Sequence, residues 1–158
     1  MTSLHVERID RTAAPELPRI SEALEAAARH IGIDIPENAT VNLVVVDDVE
    51  IAELSGQFRG YAHATDVLSF VIGDRNLETG HYEFGEIVVS VDTARREAER
   101  RDLPVETELM LYAVHGMLHL LGREDETDDG RAQMNAEQTA VLQSLGYALP
   151  DSSTTGEP

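Results

Sequence analysis

The chain has 158 residues, of which 12 are basic and 30 acidic, giving a formal net charge of −18. A chain of this length predicts one domain with its own hydrophobic core, which we assign to residues 1–149. Cysteine is absent, which excludes disulfide bonds, a disulfide-linked partner and thiolate metal sites. No apolar stretch approaches the roughly 18 residues of a membrane span and the first residues do not read as a signal peptide, so we expect no membrane partner and a cytoplasmic location.

The charge is unusual because all the basic residues are arginine. A net charge this negative should repel nucleic acid in ordinary salt. The alternative is that the protein works in very high salt, where the Debye length falls to ~3 Å at 1 M. We favour this second interpretation because the acidic residues are spread along the chain and are not gathered in a tail. In that setting the placement of individual arginines says more about partners than the net charge does.

Hydrophobic periodicity predicts four strands and about five helices. The predicted elements are, in order, strand 4–9, helix 15–31, strand 41–46, helix 49–57, strand 66–72, strand 84–91, helix 92–102, helix 105–121 and helix 128–145. A loop at 59–65 precedes the third strand, and a polar excursion at 74–83 is suited to a hairpin-like connection to the fourth. Residues 150–158 are predicted to be a disordered tail. The fold class is therefore α+β, with one four-stranded mixed sheet.

The densest group of candidate metal ligands lies at the end of the predicted helix 105–121. His115 and His119 are four residues apart and so project from the same helix face. Gly122 can end the helix in a left-handed conformation, after which the chain can bring Asp125 back toward the two imidazoles. Three protein ligands leave a coordination position open for water or substrate, as in catalytic zinc sites. The spacing predicts a metal site on a central helix.

A second interpretation of the same residues stays open at this point. A helix this apolar is buried, and a histidine on it could be a hydrogen-bonded core residue, since pairs at this interval also arise by chance. In the His-Glu-x-x-His motif of zinc proteases the glutamate is the general base, and here Gly116 occupies its place. The pattern therefore disfavours a standard metalloprotease mechanism.

From about Val41 to Gly146 the chain resembles the YbeY-type endoribonucleases, also called rRNA maturation factors. The signature H-G-x-L-H-L-x-G-x-D-H is matched from His115 to Gly122. Three further blocks occur in family order: Arg59 followed by the T-D-V-L-S-F strand at 65–70, the G-E-I-V-V-S strand at 85–90, and the pair Met134 and Glu137. Four blocks in order are far more specific than the histidine pair alone.

The chain departs from the family signature at two adjacent positions. Where the family usually has Asp then His, this chain has Glu124 then Asp125. Register makes Asp125 the direct replacement for the third ligand, with Glu124 as the alternative. Two imidazoles and a carboxylate still suit zinc, but the carboxylate shifts the preference toward harder divalent ions such as Mn²⁺.

The resemblance implies a zinc-dependent endoribonuclease that holds one ion per chain through His115, His119 and Asp125. It further implies action on single-stranded RNA, notably ribosomal RNA precursors, in rRNA maturation and ribosome quality control, with the ribosome as partner. Arg59 would bind the scissile phosphate and stabilise the charge that develops on it. The same family block makes Thr65 and Ser69 candidate substrate-binding residues.

Several alternatives remain open from the sequence. The chain could be a ribosome assembly factor whose metal is structural, or a metal-dependent hydrolase of small phosphoesters. The general base is also not fixed, because a metal-activated water, Glu86, Glu124 and the 2′-hydroxyl group of the RNA could each serve.

Overall fold

The computed structural model describes residues 4–59 and 67–149. In this part of the chain the strands are β1 His5–Asp10, β2 Ala39–Val46, β3 Val67–Arg75 and β4 Tyr82–Ser90. The helices are α1 Ile20–His30, α2 Asp48–Arg59, α3 Val91–Arg101, α4 Val105–Leu120 and α5 Asp128–Ser144. These elements confirm the α+β prediction of one mixed four-stranded sheet with five helices. The predicted tail at 150–158, Thr65 and the side chain of Arg59 lie outside the described residues, so the proposed domain limits stay a prediction.

The sheet has the strand order β1-β2-β4-β3. β2 pairs in parallel with both β1 and β4, whereas β3 pairs antiparallel with β4 and forms an edge. All but one residue of β2 is buried, as its nearly continuous β-branched sequence predicts for a strand covered on both faces. Two cores result. The larger one includes residues of α1, α4 and α5, and the smaller one lies under Ile51 and Leu54 of α2 on the opposite face.

α1 begins five residues later than the sequence predicted. The prediction started the helix at Pro15, but the first helical residue is Ile20. Pro18 explains the difference, because the ring of a proline disfavours helical backbone angles in the preceding residue, here Leu17. The backbone N–H of Ile20 instead donates to the Leu17 carbonyl in a turn just before the helix.

The polar segment at 74–83 forms the hairpin connection that the sequence predicts, but both strands extend further into it than predicted. β3 continues to Arg75 and β4 begins at Tyr82, so only six residues connect them. The side chain of Asn76 accepts hydrogen bonds from the backbone N–H groups of Glu78 and Thr79, and the Arg75 guanidinium stacks over the Tyr82 ring at 5.6 Å. The sequence prediction ended both strands too early because strand pairing and stacking order polar residues that carry no hydrophobic alternation.

The start of α3 also differs from the prediction. The sequence predicted a helix from residue 92, whereas the helix begins at Val91 and its N-cap residue is Ser90, whose Oγ accepts from the backbone N–H of Thr93. Ser90 is the last residue of β4, so strand and helix join without a loop. The Ser90 hydroxyl in turn donates to the Asp48 carboxylate at 2.7 Å, which fixes this end of the sheet to α2.

A buried ion pair joins α3 to the following helix. Glu108, in the first turn of α4, is fully buried, and its Oε2 lies 3.1 Å from Nη1 of Arg101. Burial raises the pKa of Glu108 because the interior solvates the carboxylate poorly. Arg101 therefore holds in place the helix that carries the two histidines.

We predict that Arg101→Met lowers the free energy of unfolding by about 3 kcal/mol near neutral pH, because it leaves a buried carboxylate unpaired. Because the pKa of Glu108 is higher in the folded protein, the folded state keeps the Glu108 proton at pH values where the unfolded chain has already released it. Stability from Glu108 is therefore present at low pH and lost as the pH rises through that pKa. The deficit of Arg101→Met should shrink toward about pH 4. Urea unfolding at both pH values measures it.

Two further variants test the cause. Arg100→Met on the same helix removes an exposed arginine paired with Glu97 and should cost less than about 1 kcal/mol. The double variant of Arg101→Met with Glu108→Leu should recover most of the loss. An equal deficit in Arg101→Met and the double variant would contradict the ion-pair explanation.

Candidate metal centre

α4 carries the histidine pair and approaches the sheet unusually closely at Gly116. A Cβ atom at Gly116 would lie 2.6 Å from Cγ2 of Ile87 in β4 and 3.1 Å from Oγ of Ser69 in β3. The Ser69 hydroxyl also donates to the Gly116 carbonyl at 3.2 Å. There is no room at position 116 for the glutamate of a zinc protease, and this position faces the sheet instead of the histidines. The structure thus gives a packing reason for the glycine.

His115 and His119 stand one turn apart on α4 with their rings turned toward each other. Their Nε2 atoms are 3.1 Å apart and the ring centroids 4.7 Å. The sequence predicted this juxtaposition from the four-residue spacing. The two side chains are 23% and 29% exposed, so solvent can reach both rings although most of α4 is buried.

The end of α4 turns the chain back toward the rings. Gly122 has a φ of 104°, and the N–H groups of Gly122 and Arg123 donate to the carbonyls of His119 and Leu118. These two bonds form a Schellman motif, which satisfies the last carbonyls of the helix and reverses the chain direction. Glycine is suited here because a side chain is strained at this φ.

The reversed chain brings Asp125 to the histidine pair. Its Oδ2 lies 3.4 Å from Nε2 of His115 and 3.4 Å from Nε2 of His119. Among the described residues, this is the one group of three or more such side chains that could hold a metal ion. Glu124, the alternative third ligand, is exposed and does not belong to the group. Asp125 is further held by Arg131, whose guanidinium donates to the Asp125 backbone carbonyl at 3.2 Å.

A hydrogen bond at the second ring nitrogen, Nδ1, sets the tautomer of each histidine. Nδ1 of His115 lies 3.0 Å from Oε1 of Gln138, and Nδ1 of His119 lies 3.0 Å from the backbone carbonyl of Arg123. The backbone carbonyl of Arg123 can only accept, so Nδ1 of His119 donates to it. Gln138 turns its amide oxygen toward His115, and in this arrangement Nδ1 of His115 donates as well. In a neutral imidazole the proton on Nδ1 leaves Nε2 with a free lone pair, which is the form that binds a metal.

The resulting donor set fits a divalent ion. Two nitrogen lone pairs and a carboxylate oxygen point at one another and repel unless a cation lies among them. Their separations of 3.1, 3.4 and 3.4 Å are close to the ligand spacing of about 3.3–3.6 Å in a tetrahedron with zinc bonds of about 2.0–2.2 Å. These three side chains would hold the ion, and their partial exposure would let solvent or a ligand reach it.

The remaining predicted site residues have different surroundings. Ser69 lies beside α4, but its hydroxyl is engaged by the Gly116 carbonyl. Arg59 is the last residue of α2, and neither its side chain nor Thr65 is described. Glu86 projects from the face of β4 opposite to α4, since its neighbour Ile87 contacts Gly116 and successive strand residues alternate. Glu86 is therefore badly placed to act as a base at this centre.

The sequence analysis assigned no role to Gln138 or Arg123, which hold the two rings in orientation. Both lie outside the helix that carries the histidines. Gln138 reaches His115 across 23 residues because α5 packs beside α4, and no short-range spacing could have revealed this contact. The Arg123 carbonyl lies only four residues from His119, in the turn that follows α4.

Fold and centre together define a class of protein: single-domain α+β proteins with a candidate His-His-Asp metal centre at the end of a central helix. A family model described as Endoribonuclease YbeY matches residues 7–146. The chain therefore belongs to the endoribonuclease YbeY family, as the sequence motifs indicated.

Individual relatives agree with this assignment. Endoribonuclease YbeY of Moorella thermoacetica is 36% identical over 152 residues, which cover 91% of this chain and 96% of the relative. Endoribonuclease YbeY of Nautilia profundicola is 41% identical over 112 residues, covering 71% and 75%. A solution structure of a Thermotoga maritima protein superposes with a TM-score of 0.57 at 26% identity, covering 97% of this chain and 96% of the other. In the described residues, no helix is long and apolar enough to cross a membrane.

Proposed function

We propose that this protein is a metal-dependent, single-strand-specific endoribonuclease that acts in ribosomal RNA maturation and ribosome quality control. Family membership supports ribonuclease activity, since the relatives above carry that name. The observation that carries the metal dependence is the convergence of two imidazole nitrogens and one carboxylate oxygen within 3.4 Å of each other. Ribosomal substrates imply the cytoplasm as the place of action and the ribosome as partner.

The metal we propose is one zinc ion per chain. His115, His119 and Asp125 supply the nitrogen and oxygen donors that zinc accepts, whereas magnesium and calcium prefer all-oxygen sets. Another divalent transition metal such as Mn²⁺ would also accept the carboxylate. When bound, such an ion supplies Lewis-acid chemistry that polarises a phosphate oxygen and lowers the pKa of water.

The protein side chains have separate tasks in this proposal. Gln138 and the Arg123 carbonyl orient the two imidazoles, and Arg131 holds the backbone of Asp125. We assign Arg59 to the scissile phosphate, because a planar guanidinium binds two phosphate oxygens at once and stabilises charge in the transition state. Arg59 is the last residue of α2 and lies eight residues before the start of β3, the edge strand that contacts α4. Thr65 and Ser69 would shape the RNA cleft on this edge.

The charge of −18 opposes RNA binding at low salt. High salt screens this repulsion but also weakens phosphate contacts, so the balance depends on arginines close to the substrate. We therefore expect cleavage to require an ionic strength of about 1 M or above, the range in which the Debye length is ~3 Å. Falling activity from 0.1 M to 2 M KCl would contradict the high-salt interpretation.

The direct test is cleavage of a single-stranded rRNA precursor fragment in high salt by metal-stripped, zinc-reloaded and Arg59→Ala protein. We expect no cleavage without metal, recovery on reloading, and a loss of at least about 100-fold in Arg59→Ala, the scale of one removed transition-state contact. Arg29→Ala is the matched control, because Arg29 is an exposed arginine at the end of another helix, α1.

The other outcomes identify the alternatives. RNA or ribosome binding that is indifferent to metal and to Arg59, with no cleavage, would indicate an assembly factor with a structural metal. Turnover of mononucleotide esters as efficient as that of RNA would indicate a hydrolase of small phosphoesters. Either result would overturn the proposed function.

A further inference from the structure

α5 packs against α4 and supplies none of the three candidate metal ligands, yet hydrogen bonds lead from its side chains to both histidines. The two residues are adjacent: Gln138 accepts a hydrogen bond from His115 directly, and Glu137 binds the guanidinium of Arg123, whose backbone carbonyl accepts from His119. We propose that Gln138 is the positioning residue of His115 and that Glu137 positions His119 through Arg123. The part of this inference that concerns metal affinity rests on the proposed function, and the part that concerns the imidazole tautomers does not.

The contact of Gln138 is direct. Its side-chain carbonyl accepts the Nδ1 proton of His115 at 3.0 Å, across 23 residues of sequence. This bond fixes both the tautomer and the rotation of the ring, so that Nε2 faces Nε2 of His119 and Oδ2 of Asp125. Without an acceptor at this place, the His115 ring would no longer favour the proton on Nδ1.

The contact of Glu137 passes through one intermediate. Its carboxylate, only 9% exposed as a residue, accepts two hydrogen bonds from the Arg123 guanidinium at 3.0 and 2.7 Å. Gln133 adds a third donor to the same carboxylate at 3.3 Å. The bidentate bond holds Arg123 just beyond the end of α4, where its backbone carbonyl accepts from Nδ1 of His119 at 3.0 Å. A small shift of α5 relative to α4 would therefore change the orientation of both the His115 and the His119 ring.

The chemistry of residue 138 also sets the strength of the His115 ligand. A carboxylate partner on Nδ1 makes a metal-binding histidine more basic than a neutral carbonyl does. The partner of His115 is the neutral side chain of Gln138. Asp125 is therefore the one negative charge among these four side chains. The structure thus predicts opposite effects for two substitutions at one position: loss of the acceptor weakens zinc binding, and gain of a charge strengthens it.

The experiment measures the tautomers first, in the metal-free full-length protein. Nitrogen-15 NMR of the imidazoles should show His115 protonated on Nδ1 in the wild type and redistributed between the two tautomers in Gln138→Leu. His119 should respond to Glu137→Gln and remain unchanged in Gln138→Leu. Gln143→Leu is the matched control, because Gln143 is an exposed glutamine of the same helix, and it should alter neither histidine.

Zinc affinity is measured next, by competition with a chromophoric chelator at a fixed pH. Gln138→Leu should weaken binding by about 10- to 100-fold, the usual effect of losing the hydrogen-bond partner of a histidine ligand, whereas Gln138→Glu should bind more tightly than the wild type. Because Gln138→Glu retains an acceptor, it also tests the proposal if Gln138→Leu does not fold.

The outcomes separate this inference from the proposed function. Unchanged His115 tautomers in a folded Gln138→Leu protein, or zinc affinity equal in Gln138→Leu and Gln143→Leu, would overturn the positioning role. A protein with the expected tautomers and zinc affinities that cleaves no RNA would overturn the nuclease proposal alone.

Discussion

His119→Ala is expected to lose zinc and to cleave single-stranded RNA at least about a thousandfold more slowly than the wild type. The substitution removes one of three ligand atoms, and the two that remain, on His115 and Asp125, are 3.4 Å apart and provide only a bidentate site. Losing the several kcal/mol with which a metal stabilises charge on a phosphate corresponds to three or more orders of magnitude in rate. Elemental analysis of the purified protein and a cleavage assay at saturating RNA measure both effects.

The matched control is His81→Ala. His81 is an exposed histidine in the β3–β4 connection, outside the group of candidate ligands, so this variant should retain zinc and full activity. Asp125→Asn should give an intermediate zinc affinity, because the amide oxygen keeps the geometry but loses the charge. Normal zinc content in His119→Ala would refute the assigned ligand set, and normal cleavage without zinc would refute the metal dependence.

Gly116→Ala is expected to destabilise the fold by about 2–3 kcal/mol, near the upper end of the usual range for overpacking a core. The added methyl group would lie 2.6 Å from Cγ2 of Ile87, a fully buried and β-branched side chain that has little freedom to move. α4 must then shift away from β4. Because Gly116 is adjacent to His115, the same shift should weaken zinc binding as well. Urea unfolding and chelator competition measure the two consequences.

Two variants separate the collision from other effects of the substitution. Gly122→Ala places a methyl group where nothing lies within 4 Å, so its cost, about 1 kcal/mol, should come from the left-handed backbone alone. Combining Gly116→Ala with Ile87→Ala removes the colliding atoms, and the pair should cost less than the two single substitutions together. Additive losses in the double variant would contradict the close approach of helix and strand.

The proposed Gln138 role extends the same reasoning from ligands to their supports. If His115, His119 and Asp125 hold the ion as proposed, a substitution at one of them should remove it. A substitution at Gln138 should change only the orientation of the His115 ring and leave all three candidate ligand atoms in place. Losses of about 10- to 100-fold for a support and at least about a thousandfold for a ligand would distinguish the two kinds of residue.

The sequence by itself determined the helix that carries the site and the residues that converge there. The four-residue spacing of His115 and His119 on an apolar helix fixes their common face, because the helical repeat is 3.6 residues. Gly122 predicted the chain reversal that brings Asp125 to them. Its φ of 104° is a positive value that glycine adopts without the strain a side chain would add. These features are local, so backbone geometry over about ten residues is enough to predict them.

The sequence also predicted the four strands, because apolar runs such as Val41 to Val46 mark positions that must be buried. Its errors came where polar or proline-containing segments decide the boundary. The start of α1 depends on Pro18, and the facing ends of β3 and β4 depend on pairing between the strands and on contacts such as Arg75 over Tyr82. Such residues carry no periodic hydrophobic signal.

Only the tertiary structure decided what surrounds the site. The contact between Gln138 and His115 spans 23 residues, and the contact of Ser69 with Gly116 spans 47. The steric limit at Gly116 likewise comes from Ile87 on a different element. Short-range spacing fixes which side chains share a helix face, but hydrogen-bond partners and close approaches depend on how whole elements pack, because the hydrophobic energy that drives this packing is non-directional and has no fixed distance in sequence.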